Sequence, residues 1–211
     1  MPSYKVVYGN NRGLAEPTRM LLACAGQEFE DVRYTSEEWQ NHKAEAPMQQ
    51  RPYMEVDGKK IPQSRAMHGF VAREFGLNGS NNEETTKIDV IIATLEDVRL
   101  SVGRVVFYEK DEDKKKEKVL ELYAQTVPKS FAALEKMLVA NNGGDGFFVG
   151  SKISRADIFF YVSMEFMAAV QQDFPVQDEV RKSPKLAALM ERVAKEPNIA
   201  AYLAKRPQTK W

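Results

Sequence analysis

Two kinds of hydrophobic pattern divide the chain. Up to about residue 78, short apolar runs of strand type alternate with segments of helical periodicity, whereas beyond residue 82 apolar residues recur at helical spacing only. The polar residues 78–82 lie between these regions and have the composition of a linker. The sequence therefore predicts two domains, residues 1–79 and residues 80–211.

The first domain is predicted to begin with a strand, a turn and a helix. Residues 4–8 combine β-branched and aromatic side chains, which favours a strand. Gly9 begins a turn, and helical spacing starts at Leu14, with Gly26 as the candidate C-cap. This connection would hold Tyr8 at a strand end, facing a helix N-terminus where an anion can bind.

The rest of the first domain predicts three more strands and two more helices. Residues 29–34 form the second strand, and Ser36 is placed to cap the helix that follows. The turn Asp57-Gly58 joins two short strands into a hairpin, and Ser64 can cap a last helix that runs to about Phe75. The predicted order is β-α-β-α-β-β-α, a small α/β unit with helices available for both faces of its sheet.

The second domain is predicted to be all-helical. Residues 110–118 hold five lysines and four acids, and we predict a solvated connection between two helices there. Ser154 and Asp157 have the spacing of a capping box, which we interpret as a stability element without a catalytic role. The predicted helices cover residues 83–108, 119–139, 154–171 and 184–195, with a last turn or two through Leu203.

Composition removes several classes of function. Thirty basic residues balance thirty acidic ones among 211, so the electrostatic footprint of a nucleic-acid binder is missing. One cysteine, Cys24, fits a reducing compartment, and two histidines argue against a zinc cluster. No apolar run reaches the length of a membrane span. We therefore expect a cytoplasmic protein without a metal, a nucleic-acid partner or a membrane partner.

Several short motifs occur in a fixed order that spans essentially the whole chain. They are Pro2-Ser3-Tyr4-Lys5 with Tyr8, Arg12-Gly13-x-Ala15-Glu16, Glu38-Trp39, Pro52-x-x-Glu55-Val56-Asp57-Gly58-Lys59, Gln63-Ser64, and the segments 71–77 and 204–209. Each is weak alone, but the ordered set resembles the sigma class of cytosolic glutathione transferases, in particular its invertebrate members. That class includes the haematopoietic prostaglandin D synthases and the S-crystallins.

The resemblance implies a fold and an activity. The first domain would be thioredoxin-like and bind glutathione, and the helical domain would form the pocket for the electrophile. The expected activity is attack of the glutathione thiolate on hydrophobic electrophiles, with reduction of lipid peroxides as a further activity. Glutathione would be the co-substrate, and the protein would be a homodimer.

The resemblance also implies a role for Tyr8. A free thiol has a pKa of ~8.5, so only a few per cent is thiolate at neutral pH. A phenol O–H aimed at the sulfur stabilises the thiolate, and lowering the thiol pKa by ~2 units makes it the majority form. Tyr8 would therefore be the catalytic residue and would itself stay protonated as the donor.

Further contacts with both substrates follow from the same resemblance. For glutathione they are the backbone of Arg51 beside a cis Pro52, Gln63 and Ser64 for the γ-glutamyl carboxylate, Trp39 and Lys43 for the glycine end, Gln50 alongside, and Asp97 of the neighbouring subunit for the γ-glutamyl amine. For the electrophile pocket they are Asn10, Gly13, Leu14, Arg104 and Trp211.

Departures from the family pattern keep other functions open. Gly9 replaces an aromatic residue and Leu14 an arginine that supports the thiolate, which leaves open an S-crystallin-like structural or binding protein with little turnover. Arg51 and Arg65 replace apolar residues and add positive charge near the peptide site. Glutathione-dependent prostaglandin D isomerisation is a third alternative, against which Arg104 stands in place of a pocket tryptophan. Trp39 could also simply cover the sheet, and Gln63-Ser64 could be only a helix cap.

Overall fold

The computed structural model describes residues 2–170 and 180–209. The chain forms two compact units, one of residues 1–78 with 194–211 and one of residues 79–193. The boundaries drawn from the sequence, 1–79 and 80–211, stay predictions.

The first unit contains a four-stranded sheet. Its strands are β1 (Tyr4–Gly9), β2 (Glu30–Tyr34), β3 (Tyr53–Val56) and β4 (Lys59–Pro62), in the order β2-β1-β3-β4. Strand β1 is parallel to β2 and antiparallel to β3, and β3 is antiparallel to β4. The register places Gly9, Tyr34, Tyr53 and Pro62 together at one end of the sheet, which we call the Gly9 end.

Three helices alternate with these strands, which confirms the predicted order. They are α1 (Glu16–Cys24), α2 (Ser36–His42) and α3 (Ser64–Glu74). Helix α1 packs against α3. Helix α2 covers the sheet with Trp39, which is buried beside Val7 and Tyr53.

The caps of α2 and α3 differ from the prediction. Thr35, and not Ser36, caps α2: its hydroxyl accepts from the Glu38 N–H (3.1 Å), and the Glu38 carboxylate accepts from the Thr35 N–H (2.8 Å). The reason is that Thr35 has a glutamate three residues later, as a capping box requires, and Ser36 does not. Ser64 is likewise the first residue of α3 and not its cap; Gln63 precedes it without a side-chain cap.

The second unit is helical in the part that the structure describes. Residues 110–118 were predicted as a connection, and that prediction is wrong, because Glu112–Glu121 form a 10-residue helix, α5. Asp111 accepts hydrogen bonds from the N–H groups of Asp113 and Lys114 (3.1 Å each), so the charged segment has an N-cap of its own. A π-helical turn at Leu122–Thr126 interrupts the helix predicted over 119–139. The helices are α4 (Asn82–Tyr108), α5 (Glu112–Glu121), α6 (Val127–Ala140), α7 (Arg155–Val170) and α8 (Pro184–Lys195).

The core of the second unit is the pairing of α4 with α7. Helix α7 is buried over most of its length, including the carboxylate of Asp157. The prediction for residue 171 at its end lies outside the described residues. Helix α9 (Pro197–Lys205) follows α8 and packs on α1. None of the helices described is both long and apolar enough to cross a membrane.

Candidate active site

Tyr8 lies at the Gly9 end of the sheet, against a loop that only glycine can complete. Gly13 has a positive φ of 42°, and a Cβ built on it would lie 2.8 Å from the Tyr8 hydroxyl oxygen. The loop backbone therefore passes directly beside the phenol. Tyr8 is half-buried, and its hydroxyl has no hydrogen-bond partner among residues 2–170 and 180–209. The hydroxyl can therefore donate to a ligand.

Arg19 holds this loop from inside the unit. Its guanidinium is fully buried, and Nη1 donates to the carbonyl oxygens of Asn11 (2.9 Å) and Arg12 (3.3 Å). Its Nε donates to Asp31 Oδ1 on β2 (2.8 Å). A charged fork that satisfies two carbonyls and a carboxylate fixes the backbone immediately before Gly13.

Glu16 joins this arginine to the C-terminal helix. Its buried carboxylate lies 3.4 Å from Arg19 Nη1 through Oε2. Its Oε1 accepts from Arg206 Nη1 (2.8 Å) and from the Tyr202 hydroxyl (3.1 Å). Burial and the Glu16 charge raise the pKa of Tyr202. The sequence analysis missed this network, although two charged residues three apart on the apolar side of α1 are a signal for it.

The Gly9 end also gathers residues from β3, β4 and α3. The Arg51–Pro52 peptide bond is cis, as the resemblance implies. Gln63 has a positive φ of 69°, and its Nε2 lies 3.6 Å from Met48 Sδ. Ser64 begins the 11-residue α3, where the first N–H groups have no partner within the helix. A hydroxyl at such a position suits a carboxylate ligand.

The residues implied for the glycine end differ in burial. Trp39 is only 8% exposed and packs against Val7, Ala46 and Tyr53, so it does cover the sheet. Lys43 and Gln50 are exposed. The sequence therefore identified a tryptophan with a structural role, and a ligand role for it stays a prediction.

Arg51 is the unexpected neighbour of Trp39. The Arg51 Cζ lies 5.1 Å from the centre of the indole ring, and Nη1 donates to the Tyr34 carbonyl (3.1 Å). A Cβ on Gly9 would lie 3.6 Å from both Cζ and Nη1. The arginine side chain therefore lies alongside the position at which residue 9 lacks a side chain.

The residues implied for the electrophile pocket stay predictions. Leu14 is 51% exposed and Asn10 is exposed, both beside the loop that contacts Tyr8. Asp97 and Arg104 lie on α4 in the second unit, where both are exposed. Trp211 lies outside the described residues. Among the residues described, no group of three or more His, Cys, Asp and Glu side chains could hold a metal ion.

Comparison with protein families and curated proteins gives full-length matches. The model of the glutathione S-transferase N-terminal domain matches residues 4–73, and that of the C-terminal domain matches residues 96–206. The chain is 38% identical to S-crystallin 4 of Enteroctopus dofleini, with 100% of both chains covered. It is 36% identical to a glutathione S-transferase of Anopheles gambiae, with 99% of both covered.

Solved structures agree with these matches. Prostaglandin synthase D of Nilaparvata lugens superposes with a TM-score of 0.86 at 36% identity, over 98% of this chain and 100% of that one. A Nu-class GST from Haemonchus contortus superposes with a TM-score of 0.89 at 32% identity, over 100% of both chains.

Proposed function

The chain belongs to the glutathione S-transferase family, and from that premise we propose that Tyr8 activates the thiol of glutathione for attack on hydrophobic electrophiles. The predicted family, fold class and transferase activity are confirmed by the matches to both domains and to named transferases. The sigma class, the individual site residues and the physiological electrophile are the parts proposed here.

The observation that carries the role of Tyr8 is the position of its hydroxyl. It lies at the Gly9 end, beside the Gly13 backbone, without a hydrogen-bond partner among the described residues. A phenol in this place donates to the sulfur and stabilises the thiolate. The thiolate then forms the new sulfur–carbon bond while the leaving group departs with its electron pair. With a peroxide, the thiolate attacks one oxygen and the O–O bond breaks, which gives an alcohol after protonation and a sulfenic acid of glutathione. A second glutathione thiol converts the sulfenic acid to glutathione disulfide and water.

The rest of the glutathione site is proposed at the same end of the sheet. Gln63 and Ser64 hold the γ-glutamyl carboxylate at the start of α3. The backbone of Arg51, before cis Pro52, pairs with the cysteinyl residue of glutathione. The backbone N–H and C=O of that cysteinyl residue need unpaired backbone groups on the protein as partners. Lys43 and Trp39 serve the glycine end, and Gln50 lies alongside.

Substitution of Tyr8 tests the mechanism. We expect Tyr8→Phe to lower kcat/KM for 1-chloro-2,4-dinitrobenzene by ~10- to 100-fold, because it removes one hydrogen bond to a charged sulfur. The thiolate absorbance of bound glutathione should then appear at higher pH than in the wild type. Tyr4→Phe is the matched control, since Tyr4 is buried on the same strand against Phe75. Equal rates for wild type and Tyr8→Phe would rule out the proposed role.

An S-crystallin-like binding or structural protein is the second candidate. The 38% identity to S-crystallin 4 favours it, together with Gly9 and the exposed Leu14 in place of the residues that family members use around the thiolate. This candidate predicts retention on immobilised glutathione without measurable conjugation. The match to a prostaglandin synthase D supports the third, isomerisation of a prostaglandin endoperoxide, which product analysis after incubation with that endoperoxide would detect.

The assembly and the location are proposed from the family. We propose a cytoplasmic homodimer that acts in detoxification, with Asp97 reaching the γ-glutamyl amine bound by the other subunit. Helix α4, which carries Asp97, also exposes Val90, Leu100 and Phe107. Sedimentation of the full chain should give twice the 24.0 kDa chain mass. A monomer would remove the role of Asp97.

A further inference from the structure

Arg51 carries a positive charge that its surroundings fix in place without neutralising. Its guanidinium stacks on Trp39 at 5.1 Å and donates through Nη1 to the carbonyl oxygens of Tyr34 (3.1 Å) and Thr35 (3.5 Å). Within residues 2–170 and 180–209 it forms no ion pair with a carboxylate. Its Nε and Nη2 donors are not used by these contacts. A half-buried, oriented cation with spare donors is an anion-binding group.

Gly9 leaves open the space that the Arg51 guanidinium lies against. A Cβ at residue 9 would lie 3.1 Å from Asn11 Nδ2 and at an ordinary contact distance of 3.6 Å from Arg51 Cζ and Nη1, so a side chain that extends beyond Cβ would compete with both groups for this space. No positive φ at Gly9 calls for glycine on backbone grounds. The small residue therefore acts here through the space it leaves, and Gly9 and Arg51 form a complementary pair.

The position of Arg51 along the sheet suggests which anion it meets. Its guanidinium lies at the ends of β1 and β2, beside Gly9 and the Tyr34 carbonyl, whereas Ser64 follows β4, the strand at the opposite edge. Two to three inter-strand spacings, about 10–14 Å, lie between them. An extended tripeptide spans ~10–11 Å, and the γ-glutamyl linkage adds side-chain carbons to that length. A glutathione with one carboxylate at Ser64 therefore places its other carboxylate near β2.

We propose that the Arg51 side chain binds the glycine carboxylate of glutathione, with Trp39 as its stacking platform. The inference rests on the proposed function and adds a specificity-determining residue to it, since a backbone contact alone was implied for Arg51. Arg51 adds a charged donor fork to the contacts of Lys43 and Trp39 that are already proposed at the glycine end, so glutathione derivatives blocked at the glycine carboxylate become poorer ligands.

Binding of S-methylglutathione and of its glycine ethyl ester tests this directly, because neither can react. By titration calorimetry, the wild type should bind the free acid about tenfold or more tightly than the ester, as a charge-assisted hydrogen bond allows. Arg51→Met should reduce that preference at least threefold and leave the part that Lys43 supplies at the glycine end. Arg51→Lys should keep an intermediate preference, because it retains the charge without the planar fork. Arg73→Met, on the exposed last turn of α3, is the control for net charge and should behave as wild type.

Gly9→Phe provides a second test without touching the arginine. It should reproduce the lost preference of Arg51→Met, because the new ring competes for the guanidinium's position. Melting temperatures of all variants, with and without S-methylglutathione, separate this from a folding defect. Gly9→Phe/Arg51→Met should then be no worse than either single variant in its discrimination between acid and ester.

Three outcomes would overturn the inference. The first is an unchanged acid-over-ester preference in Arg51→Met. The second is an equal loss of affinity for both ligands. The third is that Arg51→Met changes only the preference between 4-chloro-3-nitrobenzoate and its methyl ester as electrophiles. Arg51 would then bind the carboxylate of the electrophile and not that of glutathione. A wild type that binds neither glutathione derivative would instead contradict the proposed function. One that binds both equally well would contradict this inference alone.

Discussion

Among residues 2–170 and 180–209, each of the two units buries one carboxylate completely, and the surroundings of the two carboxylates are opposite. Glu16 in the first unit meets two guanidinium groups, those of Arg19 and Arg206, and the Tyr202 hydroxyl. Asp157 in the second unit accepts from uncharged donors: the Phe148 N–H (2.8 Å) and the N–H and hydroxyl of Ser154 (2.8 and 2.7 Å). In the first unit, positive charges balance the negative charge of the buried carboxylate. In the second unit, uncharged hydrogen-bond donors stabilise it in place of water.

The difference follows the work each carboxylate does. Glu16 orients Arg19, which holds the loop carbonyls beside Gly13 and Tyr8, so its network reaches the proposed catalytic residue. Asp157 fixes the start of α7 to the segment around Phe148 and has no part in the proposed chemistry. Burial raises its pKa to about 6. A carboxylate paired with cations thus supports the proposed site, and a carboxylate bound by uncharged donors stabilises the helical unit.

Removal of Arg19 should produce the largest effect. Arg19→Met leaves Glu16 with Arg206 as its cation and Asp31 with Arg33, and it leaves two loop carbonyls without their buried donor. Because Arg19 is the fully buried centre of this network, we expect a loss of ~3–5 kcal/mol in the free energy of unfolding. Urea denaturation measures the loss, and conjugation of 1-chloro-2,4-dinitrobenzene at low temperature should fall as well. Arg33→Met, next to the same Asp31, is the control and should cost much less. A cost below ~1 kcal/mol for Arg19→Met would show that the network is dispensable.

Removal of Asp157 should cost somewhat less and leave the chemistry intact. Asp157→Ala leaves two buried N–H groups and the Ser154 hydroxyl without an acceptor, so we expect a loss of ~2–4 kcal/mol in the free energy of unfolding. The folded fraction should conjugate 1-chloro-2,4-dinitrobenzene with the wild-type kcat and KM. Lower kcat in fully folded Asp157→Ala would contradict the separation of scaffold and site.

The pH dependence sharpens the contrast. The pKa of Asp157 is about 6 in the folded chain, against an ordinary 3.8, so between pH 4 and pH 6 the folded state holds a proton that the unfolded state has released. Stability from this group therefore rises as pH falls, by ~3 kcal/mol at most, and is lost as pH rises through 6. Asp157→Asn removes the titration, so the wild type should gain stability relative to this variant from pH 7 to pH 4. A difference that is flat or that shrinks toward acid would contradict the assignment.

The sequence predicts local features of this molecule, such as turns, far better than side-chain contacts between segments that are distant along the chain. The Asp57-Gly58 hairpin turn is confirmed, with positive φ at both residues (47° and 79°), because its signal lies within the turn itself. The helical 112–121 was misassigned because its charges resemble a linker when the Asp111 cap is overlooked. The contact between Glu16 and Tyr202 joins residues 186 apart, and no local pattern can predict it. The stacking of Arg51 on Trp39 beside Gly9 likewise depends on how three segments meet.

The smallest predicted effect tests how far the charged network extends toward the C-terminus. Tyr202→Phe removes one hydrogen bond to Glu16 and leaves Arg206 and Arg19 in place, so we expect a loss of only ~1 kcal/mol in the free energy of unfolding. Because Glu16 keeps both cations, Arg19 should keep its hydrogen bonds to the Asn11 and Arg12 carbonyls. We therefore expect kcat to change less than twofold. Leu203→Ala on the same helix, half-buried and outside the network, is the matched control for packing. A drop in kcat for Tyr202→Phe with full folding would mean that α9 supports the loop through the tyrosine as well as through Arg206.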